Sequence, residues 1–236
     1  MIDVGALLAA AATAAESGAA HHVRCADCGE VMGDRRERRY WPATCQPCAA
    51  RADLERRAAS LARAAESVPA YFRWALGPGA RARATVHVSP AIEVGRAELA
   101  VTTGGATVVL VTGGTGAGKT SLGCYLLGVL LGLAPRAGSS RYMMARQIAR
   151  ADRESRLGAE PPILAAARSA AVLVIDELGG EPSGWDAIRD VIIDRHAAEL
   201  PTILGSWRGP AGVAERYGDG VARRVGYVSR LAGSGA

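Results

Sequence analysis

A glycine-rich octapeptide near the middle of the chain constrains its fold more than any other stretch. Residues 113–120 read GGTGAGKT, which fits the pattern G-x-x-x-x-G-K-[ST]. The apolar run 108–112 precedes the octapeptide, and a second apolar stretch follows it. A strand that leads through a glycine-rich turn into a helix lets backbone N–H groups converge on a phosphate at the positive end of that helix. The sequence therefore predicts a phosphate-binding loop within an α/β domain.

Two side chains of the octapeptide have specific chemistry. Lys119 would reach the β- and γ-phosphates of ATP, and Thr120 would be a ligand of the accompanying Mg²⁺. Lys119 is the only lysine in the chain, whose 28 basic residues are otherwise arginines. A lysine ammonium is a compact charge on a flexible stem, whereas an arginine guanidinium is planar and rigid. A lysine at this one position, in a chain that otherwise uses arginine, indicates that the position needs the compact charge. The alternative is a glycine-rich turn that fits the pattern by chance.

A pair of carboxylates supplies the second half of the predicted site. The continuous apolar run 170–175 is typical of a strand buried on both faces, and Asp176 and Glu177 follow it. Asp176, at the carboxyl end of a strand beside the phosphate loop, could hold the Mg²⁺ shell, and Glu177 could deprotonate the attacking water. An ordinary acidic turn after a core strand is the alternative. The predicted nucleotide and magnesium contacts are Gly113, Gly114, Thr115, Gly116, Ala117, Gly118, Lys119, Thr120, Ser121 and Asp176.

Four of the five cysteines form two C-x-x-C pairs. The pairs Cys25 with Cys28 and Cys45 with Cys48 are separated by a spacing typical of zinc sites. Two such turns complete a tetrahedral shell of four thiolates, which suits structural Zn²⁺ and would supply folding energy to a small module. Reduced cysteines without a metal, or a redox pair, are the alternatives.

A basic and aromatic segment lies between the two cysteine pairs. Residues 35–41 contain four arginines, one glutamate, Tyr40 and Trp41. Arginines can neutralise phosphates while the aromatic rings stack on unpaired bases, which favours single-stranded DNA as a partner. A solvated loop that serves protein contact is the alternative. The formal net charge of +5 is compatible with either interpretation.

The remaining pattern predicts two parts. We place a zinc-binding module and helical linker at 1–66 and a nucleotide-binding core at 67–236, where strands alternate with helices as in a parallel sheet covered on both faces. The aromatic segment 68–74 should pack on the core. The predicted helices are 47–66, 146–157 and 215–225, the predicted strands are 140–145, 170–175, 202–206 and 227–231, and 77–90 is interpreted as a loop or linker.

Composition also limits where such a chain can act. No apolar run approaches the roughly 18 residues of a membrane span. The apolar stretch 4–15 lacks the preceding basic residues of a signal peptide, so we interpret it as an Ala-rich helix or arm. Paired cysteines suit a reducing compartment. We expect a cytoplasmic protein without a membrane partner.

The order and spacing of these motifs resemble those of the DnaC/IstB-type AAA+ ATPases. The resemblance covers about residues 67–232 and rests on the phosphate loop and on further segments, namely VPAYFR at 68–73, VLVIDELG at 172–179, IDRH at 193–196 leading into LPTIL at 200–204, and the stretch 216–224. A zinc module ahead of the core is similar to that of some phage and bacterial helicase loaders. The resemblance implies an AAA+ P-loop fold.

The resemblance also implies a function. It implies ATP-dependent self-assembly on single-stranded DNA and loading of a ring-shaped replicative helicase. By position, Arg224 matches the arginine finger that reaches a neighbouring subunit's ATP, with Arg223 and Arg216 as further candidates and a basic surface helix as the alternative. Two other functions stay open: an ATPase partner of a transposase, and a DNA- or protein-binding module in which ATP is a structural switch.

The chain departs from the family pattern at the γ-phosphate sensor. Where the family has asparagine, this chain has Trp207. Ser206 or Thr202 would then have to replace that contact, or hydrolysis would be slow. We expect no second sensor arginine and no lid domain after the core. A G-protein is disfavoured, because the chain has no asparagine and no second lysine for a guanine-recognition motif.

Overall fold

The computed structural model describes residues 22–34, 40, 42–133, 140–154 and 160–232. The chain forms two compact units, residues 1–55 and 56–236. The arm at 4–15 and most of the basic segment, 35–39 and Trp41, lie outside the described residues. Among the described residues, no helix combines the length and hydropathy that a membrane span requires.

The first unit contains a small hairpin followed by a helix. Strand β1 (His22–Arg24) pairs antiparallel with β2 (Val31–Asp34), and the turn between them carries Cys25 and Cys28. Helix α1 (Gln46–Ser67) begins immediately after Cys45 and continues into the second unit. The helix predicted over 47–66 is confirmed.

The second unit is organised around a five-stranded sheet in which all neighbouring strands are parallel. The strand order is β4-β5-β6-β3-β7. The strands are β3 (Val108–Gly113), β4 (Arg141–Met144), β5 (Leu173–Leu178), β6 (Thr202–Ser206) and β7 (Val225–Leu231). The parallel sheet predicted from the alternation of strands and helices is therefore confirmed.

Helices cover both faces of this sheet. Val109 and Ile203 join the core on one face, while Leu110 and Leu204 join the core on the other, as the two-residue period of a strand requires. The first core includes a 3₁₀ helix (Ala70–Leu76), α2 (Ala80–His87), α3 (Ile92–Thr102) and α4 (Lys119–Leu133). The second includes α5 (Ala145–Arg153), α6 (Pro162–Ser169), α7 (Trp185–Ala197), α8 (Pro210–Tyr217) and α9 (Asp219–Ala222).

The aromatic segment before α2 packs on the core, as predicted. Phe72 and Trp74 lie partly buried against the first core cluster. The approach to α4 is so close that a Cβ atom on Gly128 would lie 2.6 Å from the carbonyl oxygen of Ala75. Gly128 therefore lets the 3₁₀ helix contact the backbone of the helix that follows the phosphate loop.

Three local predictions are wrong in detail. Residues 77–90 are not a loop, because alanine and arginine favour helix and α2 starts after Gly79, whose φ is +72°. The predicted helical stretch 215–225 is split into α8 and α9 at Gly218, whose φ is +86°. Ala170 ends α6, so β5 starts at Leu173 instead and includes both site carboxylates.

A buried arginine connects α6, α7 and β6 of the second unit. Arg195, within the segment of the family resemblance, is fully buried. Its guanidinium donates to the Thr202 hydroxyl and to the carbonyl oxygens of Ala167, Ala170 and Pro201 at 2.6–2.9 Å. These bonds tie α7 to the end of α6 and the start of β6, so Arg195 has a structural role.

Candidate functional site

The glycine-rich octapeptide forms the turn between β3 and α4. Strand β3 ends at Gly113, and α4 begins at Lys119. The Lys119 ammonium donates to the carbonyl oxygens of Gly113 at 2.9 Å and Gly114 at 2.7 Å. Partial burial lowers the pKa of Lys119, while the Asp176 carboxylate opposes that shift. The structure therefore holds the ammonium over the loop that it was predicted to serve.

Two other segments of backbone cover the loop. A Cβ atom on Gly118, whose φ is +91°, would lie 2.2 Å from the carbonyl oxygen of His87. A Cβ atom on Gly113 would lie 2.5 Å from the carbonyl oxygen of Leu231. Neither position accepts a side chain, so these glycines are needed for packing as well as for the turn. Sequence reasoning missed the first contact, because it assigned residues 77–90 to a linker.

The Asp176 carboxylate reaches the loop across an intervening strand. We expected its strand to lie beside the phosphate loop, but β6 separates β5 from β3. The Thr120 hydroxyl nevertheless donates to Asp176 Oδ2 at 2.6 Å. Gly205 of β6 makes this possible, because a Cβ atom there would lie 2.3 Å from Asp176 Oδ1. Gly205 is a site residue that sequence reasoning missed.

Tyr142 is a second missed contact of this carboxylate. Its hydroxyl donates to Asp176 Oδ2 at 2.8 Å, and the backbone N–H of Glu177 donates to Oδ1 at 2.9 Å. Asp176 is only 3% exposed, so these donors and Thr120 satisfy a buried carboxylate. Burial, followed by the Asp176 charge, raises the pKa of the Tyr142 hydroxyl, which therefore remains a donor. Nothing in the local sequence pattern distinguished this tyrosine.

Glu177 differs from Asp176 in both backbone and exposure. Its φ is +57°, a left-handed conformation that is unusual for a residue other than glycine. Its side chain is 56% exposed, and Oε2 lies 3.9 Å from a guanidinium nitrogen of Arg146. Such an exposed ion pair contributes little stability. The Glu177 carboxylate is thus accessible to water at the end of β5, beside the buried Asp176.

Neither hydroxyl expected to replace the sensor asparagine is placed for that task. The Ser206 hydroxyl is fully buried, donates to the Leu178 carbonyl oxygen at 2.8 Å and accepts from the Arg208 N–H at 3.0 Å. Thr202 is the first residue of β6 and lies at the amino ends of the parallel strands, whereas the phosphate loop lies at their carboxyl ends. Both hydroxyls have structural partners, while Trp207 is 57% exposed.

The three candidate finger arginines have different environments. Arg216 donates through Nε to Glu181 Oε1 at 2.9 Å, and Glu181 is buried. Arg224 is half-buried and donates to the Gly220 carbonyl oxygen at 2.6 Å, while Arg223 is exposed. Arg216 therefore balances a buried carboxylate, whereas Arg223 and Arg224 have main-chain oxygens as partners.

The four cysteines predicted to bind metal come together in the first unit. All four Sγ atoms lie within 4.8 Å of one another, and those of Cys28 and Cys45 are 3.7 Å apart. A tetrahedral zinc–thiolate shell with bonds of about 2.3 Å needs sulfur separations of about 3.8 Å. The Cys45 N–H, first among several donors, lowers the pKa of Cys25 to about 6, whereas the neighbouring Cys45 thiol raises that of Cys48. Each thiolate makes it harder to deprotonate its neighbours, and a bound cation would offset that repulsion. The cluster could therefore hold a metal ion.

Comparisons with known proteins identify the fold of the second unit. No protein-family model matches the sequence, and no curated protein matches it. Domain III of the replication initiation protein DnaA from Thermotoga maritima superposes with a TM-score of 0.51 at 18% identity, over 66% of this chain and 68% of that one. The chain shares the α/β fold of that domain. The predicted AAA+ P-loop fold is thereby confirmed.

Two further solved structures are similar at lower scores. DnaI gives a TM-score of 0.49 at 20% identity, over 63% of this chain and 93% of that one. The DnaC helicase loader gives 0.47 at 19% identity, over 60% of this chain and 87% of that one.

Proposed function

We propose that the second unit binds ATP with Mg²⁺ and hydrolyses it. The 2.6 Å hydrogen bond between Thr120 and Asp176 is the observation that carries this proposal, because it joins the helix after the phosphate loop to a buried carboxylate. A hydroxyl and a carboxylate are the oxygen ligands that Mg²⁺ prefers, so Thr120 and Asp176 would hold the ion. When bound, Mg²⁺ shields the phosphate charge.

The chain's own side chains divide the remaining work. Lys119 would exchange the carbonyl oxygens of Gly113 and Gly114 for phosphate oxygens, which are stronger acceptors because they are charged. Glu177, accessible at the end of β5, would accept a proton from the attacking water. Arg224 would stabilise charge on the ATP of a neighbouring subunit, so hydrolysis would depend on self-association.

Nucleotide binding and turnover of three proteins test this assignment. A fluorescent ATP analogue measures affinity, and released phosphate measures hydrolysis. Lys119→Ala should weaken binding at least about 100-fold, because it removes several charge-assisted hydrogen bonds. Glu177→Gln should keep affinity within a factor of about two and lower turnover about 10²- to 10⁴-fold. Wild-type turnover by Glu177→Gln would contradict the assignment of the base.

We further propose that this ATPase acts in DNA replication in the cytoplasm, by helping to load a replicative helicase onto single-stranded DNA. Support comes from the fold shared with domain III of a replication initiation protein and from the motif order that resembles helicase loaders. The cysteine cluster ahead of the core, which we propose binds Zn²⁺, favours a loader over a transposase partner. ATP would promote self-association on the DNA.

Capture of partners from cell extract discriminates between these roles. Wild-type protein with ATP is compared with Lys119→Ala, which keeps the surface but should lose the nucleotide. A replicative helicase enriched only with the wild type supports loading. A transposase in the wild-type fraction would instead support a role in transposition and contradict helicase loading. The ATPase proposal would be unaffected.

A further inference from the structure

The backbone of Arg208 is fixed between the two halves of the nucleotide site. Ser206, at the end of β6, is in register with Thr112 of β3 and Leu178 of β5. The Arg208 N–H donates to the Ser206 hydroxyl at 3.0 Å, and the Thr112 hydroxyl donates to the Arg208 carbonyl oxygen at 2.9 Å. The backbone of Arg208 is therefore fixed at the carboxyl ends of the strands. It lies between β3, which leads into the phosphate loop, and β5, which carries Asp176.

Two glycines make room for the Arg208 side chain. A Cβ atom on Gly179 would lie 2.8 Å from Arg208 Cδ and 2.9 Å from its Nε, and one on Gly212 would lie 3.2 Å from Arg208 Cβ. Gly179 also has a φ of +94°, which a larger residue rarely adopts. The Arg208 stem therefore packs against the turn that follows β5, the strand that carries Asp176 and Glu177.

The Arg208 guanidinium contacts an aromatic ring and forms no ion pair with the residues that the structure describes. Its Cζ lies 4.4 Å from the centroid of the Trp207 ring, a cation–π distance. Its Nε is buried and has no hydrogen-bond partner within the part of the chain that the structure describes. Leaving a buried N–H unpaired is costly, and a bound acceptor would remove that cost. A phosphate oxygen is such an acceptor, and a guanidinium matches phosphate in charge and geometry.

We infer that Arg208 contacts the terminal phosphate of ATP bound in the same subunit, with Trp207 as the surface that orients its guanidinium. This inference rests on the proposed ATPase function. It assigns the sensor task to a residue beside the tryptophan, since the hydroxyls of Ser206 and Thr202 have structural partners. A contact to the terminal phosphate adds binding energy for ATP and none for ADP.

Affinities for fluorescent analogues of ATP and ADP, each with Mg²⁺, test the contact. Arg208→Met keeps an apolar stem in the glycine slot and removes the charge. Its affinity for ATP should fall about 10- to 100-fold, the loss typical of a hydrogen bond to a charged group, while its affinity for ADP changes less than about twofold. Arg208→Ala should behave in the same way. Arg150→Ala, which removes an exposed arginine paired with Glu154, is the matched control and should keep the wild-type ratio.

The binding ratio separates this inference from the proposed function. An equal loss of ATP and ADP affinity in Arg208→Met, or no loss, would overturn the contact. An effect that appears only at protein concentrations where light scattering shows oligomers would mean action on a neighbouring subunit, and it would overturn the same-subunit claim. A wild-type protein that binds ATP no better than Lys119→Ala would refute the ATPase proposal itself.

Discussion

Gly205→Ala tests whether the nucleotide site depends on the close approach of two strands. The added Cβ would lie 2.3 Å from Asp176 Oδ1, so the carboxylate must move by roughly 0.7 Å to restore a 3.0 Å separation. A shift of that size is enough to take the 2.6 Å contact with Thr120 beyond the ~3.0 Å limit of an O–H···O hydrogen bond. The single methyl group should therefore uncouple Thr120 from Asp176.

Displacing the Asp176 carboxylate from the proposed Mg²⁺ site removes a contact with a charged group, worth about 1.5–3 kcal/mol, so Gly205→Ala should bind ATP with Mg²⁺ about 10- to 150-fold more weakly. The added methyl group also overpacks the site, which should lower the free energy of unfolding by about 1–3 kcal/mol. Titration of a fluorescent ATP analogue and urea denaturation measure the two effects. Gly95→Ala is the matched control, because its added Cβ would meet no heavy atom within 4 Å. Wild-type affinity in a folded Gly205→Ala protein would refute the reasoning.

Four further outcomes are expected. Arg224→Ala should keep nucleotide binding and lose hydrolysis, and mixing it with Lys119→Ala protein should restore some phosphate release; no recovery in any mixture would contradict action between subunits. Arg216→Ala should lower the free energy of unfolding by about 3–5 kcal/mol in urea, because it leaves the buried Glu181 without its cation. Tyr142→Phe should cost about 1–3 kcal/mol in the same assay, because Asp176 loses a buried donor. Protein purified under reducing conditions should contain one zinc ion by elemental analysis and lose it in Cys28→Ser, and a metal-free wild type would exclude the zinc site.

Local chemistry explains which features could be predicted from the sequence. The phosphate loop, the cysteine pairs and β6 were predictable because neighbouring residues alone determine a turn, a ligand spacing or an apolar strand. The strand order was not visible in the same way, because it depends on which segments pair across the sheet. The strand of Asp176 was therefore predicted beside the phosphate loop, although β6 lies between β5 and β3 and only the Asp176 carboxylate reaches Thr120.

Close approach of residues that lie far apart in the chain is the common reason for the residues that were missed. Gly118 accommodates His87, Gly205 accommodates Asp176, and Gly179 accommodates the side chain of Arg208. Gly118 belongs to the phosphate loop and Gly179 ends the VLVIDELG run, whereas Gly205 lies within an ordinary-looking strand. A glycine at the carboxyl end of a parallel strand is thus informative only when the neighbouring strands are known.

The proposed contact of Arg208 would let a chain that lacks the sensor asparagine still reach the terminal phosphate. Because β6 lies directly beside β3, a side chain from the carboxyl end of β6 starts next to the strand that leads into the phosphate loop. Trp207 is exposed, but Arg208 has a slot beside Gly179 and a backbone fixed by Thr112. An arginine is long enough to use that slot and carries the charge that a phosphate requires. In the proposed site the Trp207 ring would orient the neighbouring guanidinium, and Arg208 would take the role of the sensor asparagine one residue later in the chain.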